Sequence, residues 1–94
     1  MMTNSLKALV RCHTTAEGGR LSDIRGTSHY GAPVFVDGQG FDCRIPLNGR
    51  VLPLGETLEL ELHFLNPKAA IPRLPSGAHF TLWEGKTIAE GTVI

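Results

Sequence analysis

Residues 56–65 read ETLELELHFL, with Leu58, Leu60, Leu62 and Phe64 alternating with Glu59, Glu61 and His63. A period of two puts the apolar side chains on one face of a strand and the polar ones on the other. Wound as a helix, the same four apolar residues would spread around the whole circumference and leave no polar face. The segment therefore predicts a half-buried strand. Pro53 and Gly55 punctuate the chain before it, and Pro67, which has no N–H for a ladder, stands just beyond it.

Residues 7–13, 32–36 and 41–47 fit shorter strands, as do the two arms flanking Glu84-Gly85-Lys86, each bounded by Gly, Pro, Asn or Asp. Eleven glycines and six prolines supply turn material, and short strands at this spacing point to an all-β antiparallel barrel or sandwich. Residues 14–31 are polar and glycine-rich and read as a long loop, of the kind that is usually functional or mobile. Residues 66–77 contain Pro67, Pro72 and Pro75 and predict a stiff, extended connection. No stretch reads as a helix. With no linker, internal repeat or low-complexity tract, residues 1–94 predict one domain.

A chain of 94 residues with 41% hydrophobic content can bury a modest core but cannot also house an accessory domain. Lys plus Arg and Asp plus Glu both number nine, so the chain as a whole has no electrostatic commitment to nucleic acid or to an anionic membrane. Near the N-terminus the apolar run is only Ala8-Leu9-Val10, too short for a signal-peptide core or a bilayer span. The expectation is a cytoplasmic protein without a membrane segment, in which Cys12 and Cys43 stay reduced.

Chemistry is sparse. The glycine-rich GGR and DGQG stretches lack the lysine and following helix of a phosphate-binding loop. His13, His29, His63 and His79 are widely scattered, outside any H-x-x-x-H or C-x-x-C spacing, so no metal or cofactor is expected. Cys12 and His13 are neighbours on a strand and point to opposite faces, which prevents them from forming a nucleophile and base pair with each other. Cys43 served by a distant histidine is the form a catalytic site would take, if one is assembled in space. Asp23, Asp37, Asp42, Glu84 and Glu90 read as solvated turn and strand residues. Arg20, Arg25, Arg44, Arg50, Arg73, Lys68 and Lys86 are spread among turns near Tyr30, Phe35 and Trp83. Phosphate contact would require some of them to cluster locally.

Four stretches, AEGGR (residues 16–20), YGAPVF (30–35), LPLGETLELELHFLNP (52–67) and SGAHFTLWEGKTIAEGTVI (76–94), together resemble the C-terminal, third domain of elongation factor Tu. In that family a first strand leads into Glu-Gly-Gly-Arg, and a later strand starts near Pro-x-Phe. A Pro-Gly-Asp turn opens a long alternating strand that ends before Pro, and the domain closes on Gly-x-x-Phe-x-x-x-Glu-Gly. The resemblance implies a six-stranded antiparallel Greek-key β-barrel. It also implies that GTP hydrolysis is absent, because the family's P-loop and switch regions have no counterpart.

The family's third domain packs on the second, touches the T-stem backbone of aminoacyl-tRNA and meets the nucleotide-exchange partner. On the matching positions, Arg20 stands for the arginine after Gly-Gly, and Glu84-Gly85 for the Glu-Gly tip, with Lys86 beside it. Leu21 stands where the family commonly has histidine, and Asn66 where it has lysine, with Lys68 two residues on as a substitute. The Asp-Val-Thr-Gly contact segment gives way to Asp42-Cys43-Arg44. The expectation is a stand-alone, non-catalytic module acting through protein contacts, in the setting of the translation machinery. The other reading is an RNA-binding module. Contact candidates are Arg20, Arg44, Lys68, Glu84, Gly85 and Lys86, and a docking surface left without its second domain predicts a homo-oligomer.

Overall fold

The computed structural model describes residues 5–25 and 28–94. The alternating segment is a strand, β4 (Thr57–Phe64), with Leu60, Leu62 and Phe64 buried and Glu59, Glu61 and His63 exposed. The other strands are β1 (Ser5–Cys12), β2 (His29–Val36), β3 (Gln39–Pro46), β5 (His79–Trp83) and β6 (Thr87–Val93). All six pair antiparallel and close into a barrel in the order β1-β4-β3-β2-β5-β6. β2, β3 and β4 are consecutive neighbours and β1 lies beside β4, which is the Greek-key arrangement.

Closure removes every exposed sheet edge. Side chains that alternate inward fill the interior, among them Val10, Val34, Ile45, Leu62, Leu82 and Ile88, all nearly inaccessible to solvent. Register also fixes the ends. At the lower rim lie the end of β1, the start of β2 and the β5–β6 turn; at the upper rim lie the end of β4 and the β2–β3 turn. The upper turn places Asp37 (φ 51°) and Gly38 (φ 76°) in the left-handed region, as a two-residue hairpin matched to strand twist requires. Buried Ile24, Leu47 and Leu52 stop the lower end. There Ile24 and Leu52 exchange backbone hydrogen bonds of 3.1 and 2.9 Å.

Two sequence expectations change. Residues 66–77 are not extended: they form a short helix, α1 (Pro67–Ala70), and a 3-10 turn (Ile71–Arg73). Pro67 and Pro72 each sit at the start of a helical turn, where the missing N–H is not needed and the fixed φ already suits. Ala70 and Leu74 then plug the upper end of the barrel. Arg73 ties the segment to the β2–β3 turn through Gln39 Oε1 (2.6 Å) and Asp37 Oδ2 (3.4 Å). The expected loop at 14–31 has other bounds, and its residues 26 and 27 lie outside the described residues. It opens with a 3-10 turn at Thr15–Glu17, and β2 already begins at His29. Among the described residues no helix is long and apolar enough to cross a membrane.

Candidate functional site

The lower rim brings together two of the residues singled out from the sequence, 64 positions apart. The 3-10 turn after β1 is held by a capping box: Glu17 N–H donates to Thr14 Oγ1 (3.2 Å) and Thr14 N–H to Glu17 Oε1 (2.8 Å). Arg11 Nη1 donates to the same Glu17 oxygen at 3.0 Å. The bond from Thr14 N–H, reinforced by Arg11, pulls the Glu17 carboxyl down to about 2. Gly18 then takes φ +90°, in the left-handed region, and Gly19 passes so close to the backbone that a Cβ would fall 2.2 Å from the His13 carbonyl oxygen. The Glu-Gly-Gly run is thus a turn device whose product is the position of Arg20.

From that position Arg20 Nη1 donates to Glu84 Oε2 at 2.5 Å, and the Tyr30 hydroxyl donates to the same oxygen. The guanidinium carbon lies 5.8 Å from the Tyr30 ring centroid, and Nε donates to the Ser22 carbonyl at 3.1 Å. Thr15 Oγ1 holds the Arg20 carbonyl at 2.6 Å. Partial burial works against the Arg20 charge. The hydrogen bond and Coulomb attraction of Glu84 outweigh it and hold the guanidinium protonated more firmly than usual. Burial first, then Glu84, pushes the Tyr30 phenol well above its ordinary range.

Glu84 belongs to the β5–β6 tip, where its N–H donates to the Lys86 carbonyl at 2.8 Å and Gly85 takes φ +72°. Lys86 is exposed beside it. The remaining candidates lie elsewhere. Arg44 is exposed on the outer face of β3, opposite Gly31 and His63, and Lys68 is on α1, at the upper rim. Lys86, Arg44 and Lys68 enter none of the ion pairs found among the described residues. Leu21, which stands beside Arg20, is 88% exposed.

One surface escaped the sequence reading. An open groove of about 1020 Å³ runs along the outside of β2, β5, β6 and β1, with Leu9, Phe35 and Trp83 as its apolar lining and Thr57, Thr81, Thr87 and Thr92 as hydroxyls. Trp83 and Phe35 meet with ring centroids 6.1 Å apart, tilted by 58°. Phe35 also packs on Gly40, where a Cβ would come within 3.0 Å of the ring. Arg11, Asp37, His79 and Glu90 supply the charged and titratable groups of the groove, and Trp83 and Thr87, which flank the Glu84-Gly85-Lys86 tip, line its lower end. The threonines alternating with buried residues in β5 and β6 are the signal that could have located it.

Neither cysteine looks outward. Cys12 and Cys43 are buried free thiols. Burial pushes Cys43 up to about 12 and also raises Cys12, so both are protonated at neutral pH and neither is an activated nucleophile. Among the described residues no group of three or more His, Cys, Asp or Glu side chains converges as a metal site. No protein-family model matches the chain, and no curated protein matches it.

Proposed function

We propose that this barrel is a non-catalytic binding module that acts through protein–protein contacts and resembles the third domain of elongation factor Tu, with the translation machinery as its setting. The observation that carries this reading is the outer groove. It places an exposed indole, a second aromatic ring and an aliphatic side chain together on a rigid closed sheet, beside a charged rim. Aromatic side chains on a rigid scaffold are the usual anchors of protein interfaces, because they bury much area while losing few rotamers. The balanced charge of the chain fits a protein partner better than a polyanion. The test is affinity capture from lysate with wild type and Trp83→Ala side by side. A partner retained by wild type and lost from a folded Trp83→Ala variant supports the module; identical captures, or none, overturn it.

RNA binding is the second reading, and it is favoured by one observation: Arg20, Glu84, Gly85 and Lys86 share the lower rim, as the resemblance requires. Against it, the Arg20 charge is already matched by Glu84, and Lys68 is at the other end of the barrel. Phosphate-backbone affinity grows with the number of cations that engage together. Titration with tRNA at low and moderate salt is expected to show no binding that depends on Arg20 and Lys86. A steep salt slope that flattens in Arg20→Ala and Lys86→Ala would replace the protein reading with the RNA one.

A further inference from the structure

The Arg20–Tyr30–Glu84 cluster has an asymmetry that bears on recognition. The two donors are held by contacts that do not involve Glu84. Thr15 Oγ1 fixes the Arg20 backbone, the Ser22 carbonyl takes Nε, and the guanidinium lies against the Tyr30 ring. The acceptor comes from the turn of a hairpin, and a single oxygen, Oε2, receives both Arg20 Nη1 and the Tyr30 hydroxyl. A prearranged pair of donors meeting on one oxygen is a binding seat for an oxyanion, since charge-assisted bonds from fixed donors are the strong ones. Its occupant here is a carboxylate of the same chain.

We propose that Arg20 and Tyr30 form a carboxylate-binding seat that Glu84 fills from within the chain, and that an acidic side chain of a partner protein takes the seat by displacing Glu84. The inference rests on the protein-binding reading above and adds its chemistry. The class of ligand follows from the occupant, which is a protein carboxylate, and from what surrounds it. Leu21, 88% exposed, stands next to Arg20 as an apolar contact for the residue flanking the partner's acid. Lys86 is exposed in the same tip and enters no ion pair among the described residues, but Arg25 is matched by Asp23 at 3.1 Å and Lys68 is on the upper rim, so these cations do not line up beside the seat as a file along which a phosphate backbone binds. Glu84 makes the module self-masking, because a tethered acid competes at an effective concentration of about millimolar or more.

The test uses purified full-length chain, labelled with nitrogen-15, with sodium acetate titrated against chloride at constant ionic strength. The Arg20 Nε–H resonance reports occupancy. In Glu84→Ala and in Glu84→Gln, acetate should shift this resonance with an apparent affinity at least about tenfold tighter than in wild type, because the internal competitor is gone. Arg20→Ala combined with Glu84→Ala should abolish acetate-induced shifts around the Tyr30 ring, and Tyr30→Phe on the Glu84→Ala background should weaken acetate binding. Glu84→Gln keeps the hairpin chemistry close to native if Glu84→Ala folds poorly. Acetate that affects wild type and both Glu84 variants alike overturns the seat. Inorganic phosphate binding the Glu84 variants more tightly than acetate overturns its assignment to carboxylates. A flat titration alongside Trp83-dependent partner capture removes the seat and leaves the module. A positive titration without any captured partner removes the module and leaves an unused seat.

Discussion

At the scale of single residues, the glycines of this chain are placed for space as much as for backbone freedom. Gly91 lies opposite Phe80 across β5–β6, and a Cβ there would fall 2.3 Å from the ring. Phe80 is itself buried, so the ring cannot swing clear. Gly91→Ala is expected to destabilise the fold by about 1–3 kcal/mol, as overpacking in a closed core does. Chemical denaturation reads this directly, and pairing the change with Phe80→Leu should recover part of the loss. Glu17 makes a different prediction. Its folded carboxyl titrates at about 2, below the roughly 4.3 of an unfolded glutamate. The stabilisation it gives is therefore complete above the unfolded value and is lost as pH falls toward 2. Thermal melts from pH 7 to pH 2 should show wild type more stable than Glu17→Gln at neutral pH, with the gap closing below about pH 4.3. A gap independent of pH would mean that the capping box does not respond to the carboxyl's charge.

At the scale of elements, the Arg20–Glu84 contact fastens the connection after β1 to the β5–β6 hairpin, so two segments remote in sequence share one rim. Both side chains keep some solvent access, 24% for Arg20 and 42% for Glu84, and screening limits what the pair contributes. A double-mutant cycle of Arg20→Ala and Glu84→Ala should give a coupling of about 0.5–1 kcal/mol, near the upper range for exposed pairs because of the shared Tyr30 hydroxyl. Additive single effects would show that the contact contributes nothing to folding. The β4–β5 connection teaches a related lesson. Three prolines point to an extended strap, yet Pro67 is the first and Pro72 the second residue of a helical turn, because proline is disfavoured inside a helix and tolerated in its first turn. The signal that separates these cases is apolar spacing. Ala70 and Leu74 are four residues apart and both reach the core, a helical interval visible in the sequence but outweighed by proline content.

At the scale of the whole molecule, the closed barrel leaves no strand edge to pair among the described residues, which turns association toward side chains on its outer surface. The groove of Leu9, Phe35 and Trp83 is the apolar surface suited to it, and self-association through that surface is the expected behaviour in the absence of another partner. Light scattering coupled to size exclusion should show mass rising with concentration for wild type and a monomer for Trp83→Glu. Wild type that stays monomeric across a broad concentration range would refute this. Strand content, the half-buried β4 and the hairpin at Glu84-Gly85-Lys86 are legible along the chain. These rest on local rules, since alternation and turn chemistry act between near neighbours. The EGGR and Glu-Gly motifs could be recognised separately, but nothing in either says that Arg20 is bonded to Glu84, that Tyr30 shares the same oxygen, or that Lys68 is on the opposite rim. Those contacts arise in the folded barrel, because closure sets which strand ends meet. Whether a cation is free or already matched depends on that meeting, not on its neighbours along the chain.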